Sequence, residues 1–245
     1  MSYLIRWMRS DEQDEVLDLL NTVMQASRGY FSDSFKRDGG KNPSLLLVAE
    51  GEIASHIRVF ARTRHVGECL VRSAEIGDVC THPRHRGRGF MTALLNTAAQ
   101  LLYLDGYDMS TVYSGVPIYQ KSGWVAFPEP DQYLLWRLLN LRTLLARTTP
   151  VWQHRAATLK TPYEGVVGLC CNGQQGYLEF TAEWVRPLDH HAAPDLSLDL
   201  DQLTFFRLLV GRDTPEELGL KQSLKLPKRH AELLSALFPK ARPQF

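Results

Sequence analysis

The stretch from Glu75 to Leu95, EIGDVCTHPRHRGRGFMTALL, constrains the fold more than any other part of the chain. A β-strand is expected over residues 74–81, and Pro83 ends it because proline cannot donate to a strand ladder. A turn rich in arginine and glycine follows, and apolar residues then recur at helical spacing. Glycine lets a ligand approach the backbone closely, and the N–H groups at a helix start attract anions. This stretch therefore predicts a strand, a turn and a helix that together seat a pyrophosphate.

The composition indicates an ordinary globular protein. The 245 residues suffice for one large or two ordinary domains, and 44% are hydrophobic and 22% charged. A net charge of +1 gives no reason to expect nucleic acid or an anionic membrane as a partner. The longest apolar run, residues 45–49, is too short to span a bilayer, and the first ten residues lack the pattern of a signal peptide.

Four cysteines are present, and their spacing does not match a zinc site, so no metal is expected. Neighbouring Cys170 and Cys171 lie in an apolar run and are expected to be small buried residues of a strand. Without an export signal, reduced thiols in a cytoplasm fit this pattern best.

The first 138 residues are expected to form one α/β domain. Apolar spacing predicts a helix over residues 11–24, and the glycines and polar residues of 29–43 predict a loop. The helix after the arginine-glycine turn is expected to run to about Leu104. The predicted strands are Ser44–Glu50, Ile53–Arg64, Cys69–Thr81, Met109–Ser114, Trp124–Phe127 and Tyr133–Arg137, with a short turn or helix around Tyr119.

The pattern of predicted helices and strands changes after Asn140. Residues 139–150 are expected to hold a short helix and a linker, and 151–245 a second, smaller α+β domain. Asn172–Gly173 is a strong hairpin signal between two apolar runs. The predicted strands of this domain are Ala156–Thr161, Gly165–Cys171 and Gly176–Thr181, and the predicted helices are Leu200–Val210, Pro215–Leu220 and Lys228–Phe238.

Two motifs carry a family resemblance. The run HPRHRGRGFMTALL (His82–Leu95) after a strand resembles motif A of the GNAT acetyltransferase superfamily, R/Q-x-x-G-x-G/A. The run YSGVPIYQKSGW (Tyr113–Trp124) resembles motif B at the expected distance downstream. The resemblance implies a mixed central sheet flanked by helices. It also implies transfer of an acetyl group from acetyl-CoA to an amine, which attacks the thioester directly in a ternary complex.

Within that superfamily the chain resembles the enhanced-intracellular-survival (Eis-type) branch, through the runs VCTHPRHRGRG and SGVPIY. Its tail, Phe205–Leu220 and Leu237–Phe245, resembles the sterol-carrier-like end of that branch. Two features depart from the branch. The chain has no room for the degenerate second acetyltransferase half of longer members, and Gly115 stands where an acidic residue is usual. Members of the branch often form symmetric assemblies, which leaves a homo-oligomer open.

The resemblance also implies which residues contact the cofactor. Backbone N–H groups of the turn and its arginine side chains would hold the phosphates, and a splayed strand end would pair with the peptide-like pantetheine arm. Cys80 is expected to pack in the core or at the strand edge rather than to act as a nucleophile. The implied cofactor contacts are Val79, Cys80, Thr81, Arg84, Arg86, Gly87, Arg88, Gly89, Phe90 and Ser114.

Tyr119 matches the motif B tyrosine that gives a proton to the leaving thiolate in the family. A phenol with a pKa of about 10 suits donation to a thiolate whose conjugate thiol has a pKa of about 8.5. Several groups could deprotonate the amine. Strand residues Glu75 and Asp78 are expected on opposite faces, because they are three positions apart. His82 lies at the strand end, and the carboxylate of Phe245 could fold back to the site, as in Eis-type members.

Two other functions stay open from the sequence. One is a non-catalytic acyl-CoA sensor or scaffold on the same fold, and the other is a carrier that binds an apolar ligand in its second domain. The expected partner is a small-molecule amine or a peptide amine. Asp33, Asp38 and Glu129 lie near loops where they could attract a cation.

Overall fold

A computed structural model describes residues 2–25, 29–126 and 133–241. The chain divides into two compact units. The first contains Met1–Arg62, Ser73–Asp105 and Ser110–Arg137, and the second contains Thr63–Arg72, Gly106–Met109 and Leu138–Phe245. The main change from one unit to the other therefore comes next to the domain boundary expected at residue 138. The second unit also takes two short segments from the first half of the sequence.

The first unit is built on a seven-stranded sheet with the strand order β1-β2-β3-β4-β5-β7-β6. Strands β1/β2, β2/β3 and β6/β7 pair antiparallel. Helix α3 connects the neighbouring strands β4 and β5, which is the connection that parallel strands require. The elements are β1 (Tyr3–Trp7), α1 (Gln13–Met24), α2 (Tyr30–Asp38), β2 (Ser44–Ala49), β3 (Glu52–Val66), β4 (Cys69–Thr81), α3 (Phe90–Leu104), β5 (Met109–Tyr113), α4 (Ile118–Lys121), β6 (Val125–Ala126) and β7 (Leu134–Leu138).

The predicted mixed α/β class is confirmed, and the strands predicted between residues 44 and 114 agree with the observed ones within two residues. The loop predicted over residues 29–43 is wrong, because Tyr30–Asp38 forms helix α2. Phe31 and Phe35 lie one turn apart in this helix, and both are buried in a cluster with Val16 and Leu20 of α1. Burial of this apolar face stabilises a helix that its polar composition concealed.

The second unit contains a four-stranded sheet with the order β10-β9-β8-β11. Strands β8 and β9 form the predicted hairpin through Asn172–Gly173, whose φ angles of 53° and 75° suit a tight turn. Strand β11 pairs parallel with β8. The elements are α5 (Leu141–Arg147), α6 (Thr149–Ala156), β8 (Gly165–Cys171), β9 (Gln174–Phe180), β10 (Val185–Leu188), β11 (Leu196–Leu200), α7 (Gln202–Leu209), α8 (Leu220–Ser223) and α9 (Lys228–Leu237).

Three predictions for the second half are corrected. The strand predicted over Ala156–Thr161 is absent, since Ala156 ends helix α6 and turns follow. Residues 215–219 form turns rather than a helix, although Thr214 and Glu217 make the expected reciprocal capping bonds. The short helix expected within residues 139–150 is confirmed as α5, whose leucines are buried, but the linker expected after it already holds the start of α6.

In the part of the chain that the structure describes, no helix combines the length and the apolar content needed to cross a membrane.

Candidate active site

The arginine-glycine turn leads from the end of β4 into helix α3. A 3-10 turn over Pro83–His85 comes first, and then Gly87 and Gly89 adopt left-handed φ angles of 73° and 76°. A Cβ built on either glycine would meet open space, so the backbone can be approached from that side. Among the described residues no side chain caps α3. The amides of its first turn have no preceding turn to accept their hydrogen bonds, and together with the helix dipole they form a seat for an anion.

The three arginines of the turn have different surroundings. The Arg84 side chain is exposed and donates to Glu52 at 3.3 Å, and Arg86 Nε donates to the Thr81 carbonyl at 3.4 Å. Arg88 points inward. Its guanidinium donates to Glu50 at 2.5 Å and stacks on the Phe90 ring at 4.7 Å. Arg84 and Arg88 therefore already carry acidic partners.

The end of β4 carries a buried thiol. The Cys80 side chain lies in the apolar cluster of α1 and α2, and burial raises its pKa to about 12. A buried thiol held in its neutral form is a poor nucleophile, so the prediction that Cys80 packs in the core is confirmed. Thr81 Oγ1 lies 2.9 Å from Ser55 Oγ, and Val79 is half-buried. The pairing of this strand end with pantetheine stays a prediction.

Strand β4 is irregular at Asp78, which has a φ of 50° inside the strand. A left-handed residue breaks the alternation of side chains and bends the strand, as in a β-bulge. Buried His56 of β3 lies 2.7 Å through Nδ1 from the Asp78 carbonyl and 2.9 Å through Nε2 from Ser44 Oγ. Since a carbonyl can only accept, the imidazole proton lies on Nδ1, and the Ser44 hydroxyl donates to Nε2.

This irregularity brings Glu75 and Asp78 to one face of the sheet. Asp78 contacts Arg58 at 3.4 Å, Glu75 contacts Arg62 at 3.2 Å, and both guanidinium groups lie over the Phe60 ring at 5.1 and 5.4 Å. The prediction that the two acids face opposite sides is therefore wrong. Strict alternation along the strand does not hold across a left-handed residue.

Arg58 is the centre of a buried charge cluster. Its side chain is fully buried, contacts Asp38 at 2.9 Å and Ser34 Oγ at 3.1 Å, and lies 3.9 Å above the Phe35 ring. Burial raises the pKa of Asp78, and the Arg58 charge opposes that rise. The cluster thus holds one cation between two carboxylates, and Asp78 is a stronger base than a solvent-exposed aspartate.

Local residue patterns do not reveal this cluster. His56 and Arg58 alternate with apolar Ile57 and Val59 along β3, a pattern typical of a strand with one solvated face, yet all four side chains are buried. Helix α2 covers the polar face and supplies Asp38, an acid expected near a loop where it could attract a cation. The cluster could have been found from the sequence only if α2 had been predicted as a helix, because a helix there would cover this face of the sheet.

Tyr119 lies in the short helix α4 and is buried against Trp124, with the ring centroids 6.4 Å apart. Its hydroxyl lies within hydrogen-bonding reach of Ser114. Burial raises the pKa of Tyr119, and the contact with Ser114 opposes the rise. The Ser114 N–H donates to the Tyr133 carbonyl at 2.8 Å. The structure therefore brings together two of the predicted site residues, Tyr119 and Ser114.

Gly115 lies under the exposed Tyr133 ring. A Cβ at Gly115 would come within 3.3 Å of that ring, so an acidic side chain would require the tyrosine to move. Phe245, proposed as a terminal base, and Glu129 lie outside the described residues.

Because His56 is buried in its neutral form, we expect the free energy of unfolding to fall at acidic pH. Burial lowers the pKa of His56 from 6.5 to about 4, so the unfolded chain binds a proton there at a higher pH than the folded chain does. As the pH falls from 6.5 to about 4 this group should remove roughly 3 kcal/mol from the free energy of unfolding, and above 6.5 its effect is absent. Denaturant titrations across that range measure the loss.

His56→Asn, which keeps a donor near the Asp78 carbonyl, should flatten the pH dependence above pH 5, where few carboxylates titrate. Exposed His154 offers a matched control, since His154→Asn should leave the wild-type slope unchanged. An unaltered slope in His56→Asn would contradict the assignment of a buried neutral imidazole.

Comparisons with known proteins agree with this geometry. The sequence profile of the Acetyltransferase (GNAT) domain matches residues 4–127. No curated protein sequence matches the chain. A GCN5-related N-acetyltransferase from Anabaena variabilis superposes with a TM-score of 0.72 at 12% identity, over 98% of both chains. A protein of unknown function from Enterococcus faecalis, described as a probable N-acyltransferase, gives 0.71 at 10% identity, over 99% of this chain and 98% of that one.

A GNAT family N-acetyltransferase from Escherichia coli in complex with CoA gives a TM-score of 0.50 at 15% identity, over 58% of this chain and 84% of that one. At such identities the likeness shows the fold alone, and for the first two structures that fold extends over nearly the whole chain. The profile match covers just over half of the sequence. The chain therefore belongs to the GNAT acetyltransferase superfamily.

Proposed function

We propose that this protein is an N-acyltransferase that moves the acetyl group of acetyl-CoA to a primary amine. The observation that carries the proposal is the approachable turn at Gly87 and Gly89, which opens the uncapped start of α3 beside the end of β4. Amide donors, a helix dipole and nearby arginines suit a pyrophosphate. GNAT structures solved with CoA, such as the one from Escherichia coli, support the same ligand.

The proposed reaction is direct attack within a ternary complex. The amine nitrogen forms a bond to the thioester carbonyl carbon, the C–S bond breaks, and the electron pair leaves on sulfur. Tyr119 is the proposed acid that gives its hydroxyl proton to this thiolate, because it is buried and holds its proton to a higher pH than a free phenol. The amine loses a proton to a base, and Val79–Thr81 would align the pantetheine arm.

Asp78 is the proposed base. It lies on the same face as Glu75, but its carboxylate is the more buried of the two and burial raises its pKa, which makes it the better proton acceptor. The carboxylate of Phe245 is the alternative base, because the resemblance to Eis-type members suggests that it folds back to the site.

Asp78→Asn should lower kcat/KM by about 10²-fold, since a positioned general base typically contributes at least that much. A base must be ionised to act, so the wild-type rate should fall as the pH drops through the raised pKa of Asp78. That acidic limb should vanish in Asp78→Asn and persist in Glu75→Gln. Initial rates with saturating acetyl-CoA give the profile. Loss of the rate in a chain extended beyond Phe245, with CoA binding intact, would favour the terminal carboxylate instead.

Turnover of acetyl-CoA with a panel of small-molecule and peptide amines, read as free thiol release, tests the function itself. Calorimetry with CoA accompanies it. Binding with turnover of at least one amine supports the proposal. Binding without turnover supports the second candidate, an acyl-CoA sensor, which Gly115 favours because the acid usual in the branch is missing there. If the chain neither binds CoA nor turns over acetyl-CoA, both candidate functions are excluded.

Eis-type membership and a sterol-carrier-like second domain over residues 151–245 are part of the proposal, supported by the motifs around Arg84 and Tyr119 and by the tail. Two cavities in the described part of the second unit measure about 260 and 210 Å³. The four cysteines are free thiols, which suits a cytoplasmic location.

A further inference from the structure

Two acids of the tight turn between β2 and β3 contact the arginine-glycine turn. Glu50 and Gly51 both adopt left-handed φ angles, 57° and 81°, so this turn is compact. Glu50 contacts Arg88 at 2.5 Å, and Glu52 contacts Arg84 at 3.3 Å. Each carboxylate therefore has as its partner an arginine that the sequence assigned to phosphate binding.

Buried His85 joins the two ion pairs. Arg88 lies 2.9 Å from His85 Nδ1, and because a guanidinium has only donors, Nδ1 must accept. The imidazole proton then lies on Nε2, which faces Glu52 at 3.4 Å. The result is one continuous series of opposite charges and hydrogen bonds. We name it the Glu50–Arg84 network, and its members in order are Glu50, Arg88, His85, Glu52 and Arg84.

The two ends of this network are open to solvent. The side chains of Glu50, Glu52 and Arg84 are 63%, 51% and 70% exposed, whereas His85 is only 4% exposed. Exposed ion pairs are worth between about 0 and 1 kcal/mol, so a ligand that brings two or more negative charges can replace them. A singly charged anion gains little by the same exchange. Any carboxylate that stays near the turn repels a bound phosphate, because the separation is within a Debye length of about 10 Å.

We propose that Glu50 and Glu52 are specificity-determining residues of the cofactor site: their carboxylates hold Arg88 and Arg84 until a diphosphate takes their place. This inference rests on the proposed function, since it needs CoA to bind at Gly87 and Gly89. Competition by the acids keeps CoA affinity moderate, and it selects polyanionic groups over single charges.

Calorimetry with CoA and with pantetheine, which lacks the phosphates, tests the assignment. Glu50→Gln and Glu52→Gln should each tighten CoA binding by about two- to fivefold, the amount expected from removing one exposed charge pair, and the double variant should tighten it further. Pantetheine affinity should stay unchanged, which a general loosening or stiffening of the fold would not produce. Glu179→Gln, which breaks the exposed pair with Arg186 in the second unit, is the matched control and should alter neither affinity.

Unchanged or weaker CoA binding in both glutamine variants would overturn the inference, and so would an equal change in pantetheine affinity. These outcomes leave the proposed function standing as long as the wild-type chain binds CoA. Absence of CoA binding to the wild-type chain would remove the proposed function as well, so the two failures are distinguishable. Both glutamates are exposed, and each is replaced in a separate variant. If one variant folds poorly, the other still tests the inference.

Discussion

Replacing Tyr119 by phenylalanine should lower kcat by about 10²-fold or more, because a general acid typically contributes 10²- to 10⁴-fold to a rate. The ring keeps its place against Trp124, and only the hydroxyl and its contact with Ser114 are lost. Without that proton, sulfur must leave as the bare thiolate, which is the poorer leaving group. Steady-state rates with acetyl-CoA and the best amine of the panel measure the loss.

The dissociation constant of CoA should change little, since the hydroxyl is proposed to act on the leaving sulfur rather than on the phosphates. Tyr103→Phe, on the exposed surface of α3, is the matched control and should keep the wild-type rate. An unchanged kcat in Tyr119→Phe would show that water or another group protonates the thiolate. A loss of CoA affinity equal to the loss of rate would assign Tyr119 to binding instead.

Local sequence patterns predicted most of the first unit because its elements have clear apolar periodicity and clear boundary residues. Strand β4, the turn with Gly87 and Gly89, and helix α3 follow one another with clear punctuation, and the structure has them where expected. Asn172–Gly173 did the same for the β8/β9 hairpin. In each case the residue types that favour the local conformation are also the ones that tertiary packing requires.

Elements that depend on distant partners were missed. Strands β10 and β11 are short and contain polar or proline residues, and they exist because they pair with β9 and β8. Helix α2 is held by two phenylalanines in a cluster that the sequence does not reveal. The prediction that Glu75 and Asp78 lie on opposite faces failed for a related reason. Asp78 takes a left-handed conformation that an aspartate tolerates but that no local motif marks. Its stabilising partner, His56, is 22 residues away.

Arg58→Met should lower the free energy of unfolding by about 3–5 kcal/mol, the usual cost of removing one partner from a buried ion pair. Arg58 is fully buried, and its loss would leave Asp38 and Asp78 facing each other without a cation. The methionine side chain fills much of the same volume beside Phe35, so lost packing accounts for little of the change. Denaturant titrations at neutral pH measure it.

The triple variant Arg58→Met, Asp38→Asn, Asp78→Asn separates charge from shape. If uncompensated carboxylates cause the loss, neutralising both should restore most of the stability, because a buried cluster without net charge no longer carries the full desolvation penalty. Exposed Arg186 provides the control for losing an arginine: Arg186→Met breaks its pair with Glu179 and should cost less than about 1 kcal/mol. A triple variant as unstable as Arg58→Met would instead place the contribution of Arg58 in its contacts with Phe35 and Phe60. Those stacking contacts, rather than the ion pairs, would then be what stabilises the face that carries Asp78.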